Sequence, residues 1–477
     1  MAERSETCDV FIVGGGPAGA AIALRLVSYG FNVCIAEQQP FPRRHIGESL
    51  PPTILTVIDQ LNLRDRIEAA GFLRPYGAIV KWGAGAPAYR PMFDTAGLQV
   101  DRGAFDSILL EGARAAGARL FQPATVGEIA RRPAGGWVAT VQSGQCRLHI
   151  ACRLIVIAGG RRAPLPARRQ RVSKPTLALH GYLRNSSLLT PESRIEANDE
   201  GWLWAAPLPD RTVSVAVFLD PGNRRLSGKR GDLASPFREL LRKSLLLRNC
   251  AQDELVAPVQ ACDASRSLAS PTVGDDFIRV GDASFSIDPL SSQGVLHAVV
   301  SGIQGAAVVN TLLRRPSDGE AAKAFCMARQ REAIDRDRVI GSAHYCTQAA
   351  VTPTRFWMAR SERPDASEAA PQRERPGELT EQTALQLARD ISLQPWPVLA
   401  DDFIKCEMAL CHSDLDRPMA FIRNVPISTL LGAVHPGATS KDVLRRWRLH
   451  LPEQDAHALL NFLWARTIVK PAGPPPN

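Results

Sequence analysis

Residues 11–19 read Phe-Ile-Val-Gly-Gly-Gly-Pro-Ala-Gly, and an acid, Glu37, stands 18 positions after the last glycine. A β-branched apolar run therefore enters a Gly-x-Gly-x-x-Gly turn, and the helix-forming run Ala20–Val27 leaves it. Phe31–Glu37 reads as a second strand that ends in the acid. This order of pieces is that of a βαβ unit holding a dinucleotide. Gly14 permits the tight turn, Gly16 lets the backbone approach a pyrophosphate, and Gly19 lets helix pack on strand. The helix opens at Pro17 and Ala18, so its free N–H groups and its dipole face the phosphates. Glu37 can accept hydrogen bonds from ribose hydroxyls. By itself the element does not separate NAD from FAD.

A second glycine-acid element lies far downstream. Phe277-Ile278-Arg279-Val280 reads as a strand that ends in Gly281-Asp282, followed by Asp288-Pro289-Leu290-Ser291-Ser292-Gln293-Gly294 and an apolar helix. Asp282 can bond ribityl hydroxyls, and the Pro289–Gly294 turn lets backbone approach a ring. A helix starting at Gly294 aims its N–H groups at the anionic pyrimidine end of a reduced flavin, worth about 0.3–2 kcal/mol. A NAD domain has no use for this element, so the pair predicts FAD.

Taken together, these motifs resemble the FAD-dependent monooxygenase superfamily, which includes aromatic hydroxylases, flavin halogenases and geranylgeranyl-reductase-like enzymes. The resemblance covers residues 7–345. Gly47-Glu48-Ser49 is similar to the segment beside the flavin in the halogenase-like branch, and Arg102…Phe105-Asp106 to the family's Arg-x-x-Phe-Asp helix start. Ser49 and Arg102 are accordingly expected near the cofactor. Trp202-Leu203-Trp204-Ala205-Ala206-Pro207 resembles the branch's Trp-x-Trp-x-Ile-Pro motif with Ala206 replacing Ile, and reads equally well as two core tryptophans of a strand.

The resemblance implies an α/β fold: a Rossmann-type FAD-binding domain of the aromatic-hydroxylase/halogenase type with an inserted mixed β-sheet substrate domain. It implies that reduced FAD and O2 form a C4a-hydroperoxide whose distal oxygen is taken by an electron-rich aromatic carbon. Halogenation in the family also needs a lysine near the substrate. The matching segment here carries Arg74-Pro75, with Lys81 nearby, so oxygen transfer is the favoured reading. Glu48, Lys81 and Asp288 are the candidate catalytic groups, on sequence position alone. No second Gly-x-Gly-x-x-Gly has strand and helix around it, so electrons come from NADH or NADPH bound transiently, or from a separate reductase.

The 477 residues suffice for two or three domains. Residues 7–74, 97–170 and 274–345 are assigned to the FAD domain, and 75–96 with 171–273 to the substrate domain. The latter carries the alternating run Thr212–Phe218 and a helix Pro236–Leu247. Ser361–Gln382, rich in Pro, Glu, Arg and Ser, reads as a linker. Residues 383–470 form a small winged-helix-like α+β partner-binding domain. Its expected strands are Phe403–Leu410 and Met419–Ile422, with helices capped at Thr439 and opened at Pro452. Pro471–Asn477 reads as a disordered tail.

Net charge is +9, which would steer an anionic cofactor or an acidic partner. The arginine clusters carry no interleaved aromatics, which argues against nucleic acid. The ten cysteines show no Cys-x-x-Cys, and Cys406…Cys411-His412 lacks a second ligand pair, so no metal is expected. The polar Met1–Asp9 leads straight into the first strand and leaves no room for a signal peptide. The apolar Val295–Leu313 carries His297, Gln304 and Asn310, and reads as a buried helix rather than a bilayer span. Cytoplasmic residence is the expectation.

A small aromatic metabolite would not require an added C-terminal module. That module and the Asp288–Gly294 signature resemble the flavoproteins of tryptophylquinone biogenesis. The resemblance implies a tryptophan of an acidic partner protein as substrate, hydroxylated before the partner is exported. Two alternatives stay open: a hydroxylase or halogenase of a small or carrier-tethered aromatic, and a non-catalytic flavin-binding assembly factor.

Overall fold

The structure is a computed structural model, and it describes residues 3–472 apart from 93, 162–164, 166, 185–187, 189, 227–230 and 362–376. The chain divides into two compact units, Met1–Pro316 with Cys326–Arg363, and Ser317–Phe325 with Pro364–Asn477.

In the first unit, Glu3–Val13 is the central strand of a seven-stranded sheet. Val10, Phe11 and Ile12 are buried on both faces, as a near-continuous apolar run requires in a parallel sheet. The strand pairs in parallel with Val33–Ala36 and with Cys146–Ile157. Cys146–Ile157 changes partners along its length. Up to Cys152 it closes a hairpin with Trp137–Ser143, and from Ile155 it lies parallel to Phe277–Arg279. One strand thereby brings the downstream Gly281 element beside the first turn. Helices Pro17–Ser28 and Gly294–Arg314 then cross closely. A Cβ on Gly302 would lie 2.6 Å from the Ala18 carbonyl oxygen, and one on Gly281 2.9 Å from Ala18 Cβ. The helix Gly294–Arg314 is long and apolar enough to span a membrane by composition. Here it buries Val295, Val299 and Gly302 in the domain.

The substrate sheet is an inserted, mixed, eight-stranded sheet. Antiparallel pairing joins Leu177–Arg184, Val213–Leu219, Gly201–Pro207 and Ser193–Asn198 in that order, and Ser193–Asn198 runs parallel to Gly77–Lys81. One face, with Leu179, Leu203, Val215 and Val217, packs on the helix Ala234–Lys243. That helix stops four residues before the expected Leu247. The buried Glu196 carboxylate accepts from Ser244 Oγ (2.6 Å) and from the backbone N–H of Leu245 and Leu246 (both 2.8 Å), which turns the chain out of the helix. The other face is covered at one end by Tyr345, Ala349, Phe356 and Trp357. Tyr345 and Ala349 lie on the helix Gly319–Val351, which runs past the boundary expected at residue 345.

In the second unit, the capping box of Thr439 and Asp442 opens the helix Ser440–Trp447, and Glu453–Ala465 follows. Ser392–Ala400, with Pro395 and Pro397, did not read as a strand. It pairs with Phe403–Cys411 in a hairpin whose turn residues Asp401 and Asp402 both have positive φ. Pro471, assigned to the tail, closes a ladder with Leu385 instead. Most of the expected linker lies outside the described residues. Its end is tied down, with Ser440 Oγ donating to the Thr380 carbonyl at 2.6 Å and Trp464 Nε1 to that of Gly377 at 3.1 Å.

Candidate active site

The Gly14–Gly19 turn is forced by backbone contact. Gly14 has φ +104° and no room for a Cβ, which would stand 2.7 Å from the Ala158 carbonyl carbon and oxygen. A Cβ on Gly19 would be 1.9 Å from the Gly14 oxygen. Gly16 is different. It stands at the N-cap of the helix that begins with Pro17, and a Cβ there would meet only Arg43 Nη2, at 3.7 Å. Open space thus lies before the helix N-terminus, with a guanidinium beside it that suits a pyrophosphate. Glu37 is buried and bridges the turn, accepting from the Gly15 N–H (2.8 Å) and the Gln39 N–H (2.9 Å). Sequence reasoning passed over Arg43.

The Gly47-Glu48-Ser49 segment joins the two domains. Gly47 (φ +103°) sits between Arg102 and Val295 at the start of the Gly294 helix, and a Cβ there would be 2.9 Å from Arg102 Nη1. Arg102 forks onto the fully buried Asp106 (Nε–Oδ1 2.9 Å, Nη2–Oδ2 3.0 Å) and donates from Nη1 to the Ile46 carbonyl at 2.6 Å. This i, i+4 pair is the physical content of the Arg-x-x-Phe-Asp spacing. Glu48 is 1% exposed. It accepts from the Gly47 N–H (2.8 Å) and from the Tyr182 hydroxyl on the substrate sheet (3.0 Å). Burial pushes its pKa up, against the Ser214 and Tyr182 hydroxyls and Arg102, which favour the charged form. His45 is exposed, with its Nδ1 2.9 Å from the Ile46 carbonyl oxygen. Ser49 Oγ donates to Gln99 Oε1 at 3.1 Å.

The downstream element reaches the same place. Asp282 lies 3.5 Å from Arg161 Nε. Close by, His297 Nε2 is buried without a hydrogen-bond partner among the described residues. A Cβ on Gly294 would meet nothing within 4 Å. Asp288, proposed as a base, is occupied as a cap of the Pro289–Ser291 turn. It accepts from the Leu290 N–H (3.0 Å) and from the Tyr345 hydroxyl (3.2 Å), with Arg266 at 3.9 Å. Asp337, which the sequence did not single out, accepts from the Asp288 N–H at 3.1 Å. Burial, and then the Asp288 charge, raise Asp337 to about 7 against Arg266.

On the substrate sheet, strand alternation sorts the candidates. Lys81 pairs with Glu196, whose carboxylate belongs to the helix-covered side, and its Nζ donates to the Gly83 carbonyl at 2.9 Å. It therefore lies on the face opposite Tyr182 and both motif tryptophans, and cannot reach the space between Glu48 and that sheet. Trp202 is a core residue, stacked on Phe218 with ring centroids 3.8 Å apart. Trp204 belongs to a less covered row. Register links His180–Ala216–Trp204–Ile195–Val80 across the face. On one side of this row are the residues bonded to the Glu48 segment. On the other is the row under Trp357. Trp204 and Ile195 are only half-buried, unlike their neighbours.

These residues fit FAD. The open space at Gly16 and Gly294, the guanidinium of Arg43 and the unpaired His297 nitrogen line one connected set of elements. The comparisons agree. A tryptophan halogenase family model matches residues 94–381, and an FAD binding domain model matches residues 7–174. The chain belongs to the flavin-dependent tryptophan halogenase family, with FAD as its cofactor and an oxidoreductase chemistry. Tryptophan 2-halogenase of Chondromyces crocatus is 30% identical over 377 residues, 74% of this chain and 70% of that protein. The structure of QhpG, described as a peptidyl tryptophan dihydroxylase essential for tryptophylquinone cofactor biogenesis, matches with a TM-score of 0.73 at 26% identity. The match covers 96% of this chain and 99% of that one. The flavin-dependent halogenase CmlS matches with a TM-score of 0.76 at 21% identity, over 97% and 96%, and adds support for the fold.

Proposed function

We propose that this chain is an FAD-dependent monooxygenase that hydroxylates the indole ring of a tryptophan carried by a partner protein. The observation that carries the reading is the open row of the substrate sheet. It offers the half-buried Trp204 and Ile195 to a flat apolar ring, and the row contains no lysine, while Lys81 stands on the opposite face. Likeness to QhpG over nearly the whole chain, the C-terminal region included, supports a peptide-borne substrate. A carrier-protein-tethered substrate is also named for a relative, the pyrrole-2-carbonyl carrier-protein chlorinase of Pseudomonas fluorescens, 28% identical over 61% of this chain.

Reduced FAD with O2 supplies the oxygen transfer. The protein's part is to bind, orient and exclude water. Gly16 and Arg43 would hold the pyrophosphate, Glu37 the ribose, Asp282 the ribityl chain, and the Gly294 helix the pyrimidine end. Arg102 and Glu48 fix the segment between cofactor and substrate sheet. Glu48, buried with a raised pKa, is the group that can hold or give a proton there. The net charge of +9 favours an acidic partner, met in the cytoplasm by the C-terminal unit.

The test is intact mass spectrometry of tryptophan-bearing peptides and candidate partner proteins after incubation with this protein, FAD, NADH or NADPH, and air. One or two oxygen atoms gained on tryptophan are expected, and an unchanged mass on every substrate overturns the reading. The second reading, halogenation, draws on the 30% identity to a tryptophan halogenase. It predicts a halogen isotope pattern that appears only when chloride or bromide is supplied.

A further inference from the structure

Tyr182 stands on the substrate-sheet strand Leu177–Arg184, is 5% exposed, and reaches across to the Gly47-Glu48-Ser49 segment. Its hydroxyl has two acceptors within reach, Glu48 Oε1 at 3.0 Å and the His45 carbonyl at 3.2 Å. A hydroxyl has one proton, so it serves one of them at a time. The other carboxyl oxygen, Oε2, accepts from the Gly47 N–H at 2.8 Å, and the Glu48 backbone carbonyl accepts from the Val100 N–H at 2.9 Å. The carboxyl is thus fixed with Oε1 turned to Tyr182. Arg44 lies over the tyrosine ring at 4.6 Å and His180 meets it edge-on at 5.7 Å, so the ring is fixed as well.

Two hydrogen-bond arrangements satisfy the same atoms. With Glu48 charged, the Tyr182 O–H donates to Oε1. With Glu48 protonated on Oε1, the carboxyl O–H donates to the Tyr182 oxygen, and the Tyr182 proton turns to the His45 carbonyl. The change needs rotation of one hydroxyl and no movement of a heavy atom. A buried carboxyl without such a partner would leave a donor or an acceptor unmet in one of its two states. The other groups around it are the Ser214 hydroxyl on the sheet, Arg102 with its partner Asp106, Arg43 beside Asp106, and Arg44 and His45 on the preceding segment. Arg102 donates to Asp106 and to the Ile46 carbonyl, and acts on Glu48 through its charge.

We propose that Tyr182 is the positioning residue of Glu48: by donating to its carboxylate in one state and to the His45 carbonyl in the other, it keeps both the charged and the protonated form of Glu48 hydrogen-bonded. The proposal deepens the monooxygenase reading, on which it rests for the use of a proton beside the cofactor. It gives a carboxyl that is 1% exposed a way to take up and return a proton with no buried polar atom left unpaired.

The test is a pH titration of the FAD-loaded full chain followed by infrared difference spectroscopy, with Glu48→Gln assigning the Glu48 carboxyl band by its loss. Tyr182→Phe is expected to raise the midpoint of that band by about one pH unit, because the charged form loses its donor. A tyrosine that merely filled space would leave the midpoint where it is. Flavin content of each variant reports its folding. The wild type also decides by itself: with ring-labelled tyrosine, a tyrosine C–O band is expected to change with the same midpoint as the carboxyl. An unmoved or lowered midpoint in Tyr182→Phe, a tyrosine band that stays constant while the carboxyl titrates, or a Glu48 carboxyl that does not titrate in the folded protein overturns the proposal. Failure of the monooxygenase reading is separate: it shows as tryptophan peptides of unchanged mass, whatever the infrared bands do.

Discussion

The Gly14–Gly19 turn and the His180–Val80 row sit in the same unit and serve neighbouring jobs, yet they are built in opposite ways. The turn is contiguous in sequence, and two of its glycines, Gly14 and Gly19, are imposed by backbone contacts of 1.9–2.8 Å that no side chain survives. The row takes one residue from each of five strands, and none of its members is demanded by local geometry. A site made of backbone tolerates almost no change and is visible as a motif. A site made of cross-strand neighbours tolerates change, tunes specificity, and leaves no linear trace.

Breaking the turn should have the largest effect. Gly19→Val drives a side chain into the Gly14 carbonyl, and the expected result is a protein that purifies colourless or not at all, read from the flavin-to-protein ratio. Next is Arg102→Ala. It leaves the fully buried Asp106 with only Arg43, 3.5 Å away. Losing one partner of such a pair costs about 3–5 kcal/mol, measured by denaturant unfolding, with FAD content falling alongside.

The Asp288 cap gives a pH-dependent comparison. Asp337 rises from 3.8 to about 7 in the fold, so between those values the folded form keeps a proton that the unfolded form releases. Its contribution to stability is full below about pH 4 and is lost as pH rises through 7. Asp337→Asn does not ionise and can still accept from the Asp288 N–H. Its stability relative to wild type should therefore improve by about 2–3 kcal/mol between pH 5 and pH 8, followed by melting temperature. A constant difference across that range would show that the carboxyl is not held neutral. The smallest effect is expected at Lys81. Because it faces away from the row, Lys81→Ala should leave oxygen transfer to tryptophan peptides unchanged and stability within about 0.5 kcal/mol. Abolished product would return the lysine to the active site.

The cofactor half of the site was legible because its requirements are local. Glycines that must approach backbone, an acid after a strand and a helix N-terminus at Gly294 can each be read from order and spacing. Arg102 was singled out by resemblance as a residue near the cofactor, and its pairing with Asp106 within one helix is a finding of the structure. Lys81 and Asp288 were misleading for one reason. Sequence position says that a residue is near the site but not which face of a strand it occupies, nor whether its lone pairs are already taken. Tyr182, Arg43 and Asp337 had no motif at all.

The chain by itself determined that a βαβ turn would hold a dinucleotide, that a second glycine-acid element would join it, and that the cofactor would be FAD. Those outcomes follow from steric limits on a few consecutive residues. Only the tertiary structure decided what faces that cofactor. The partner change along Cys146–Ile157 brings the two elements together, and strand register turns His180 and Trp204 inward while sending Lys81 to the far side. The pairing of Lys81 with Glu196 joins residues 115 positions apart, no local motif encodes the pairings of His180 and Trp204 with Ala216, and a shift of one residue would reverse every one of those faces.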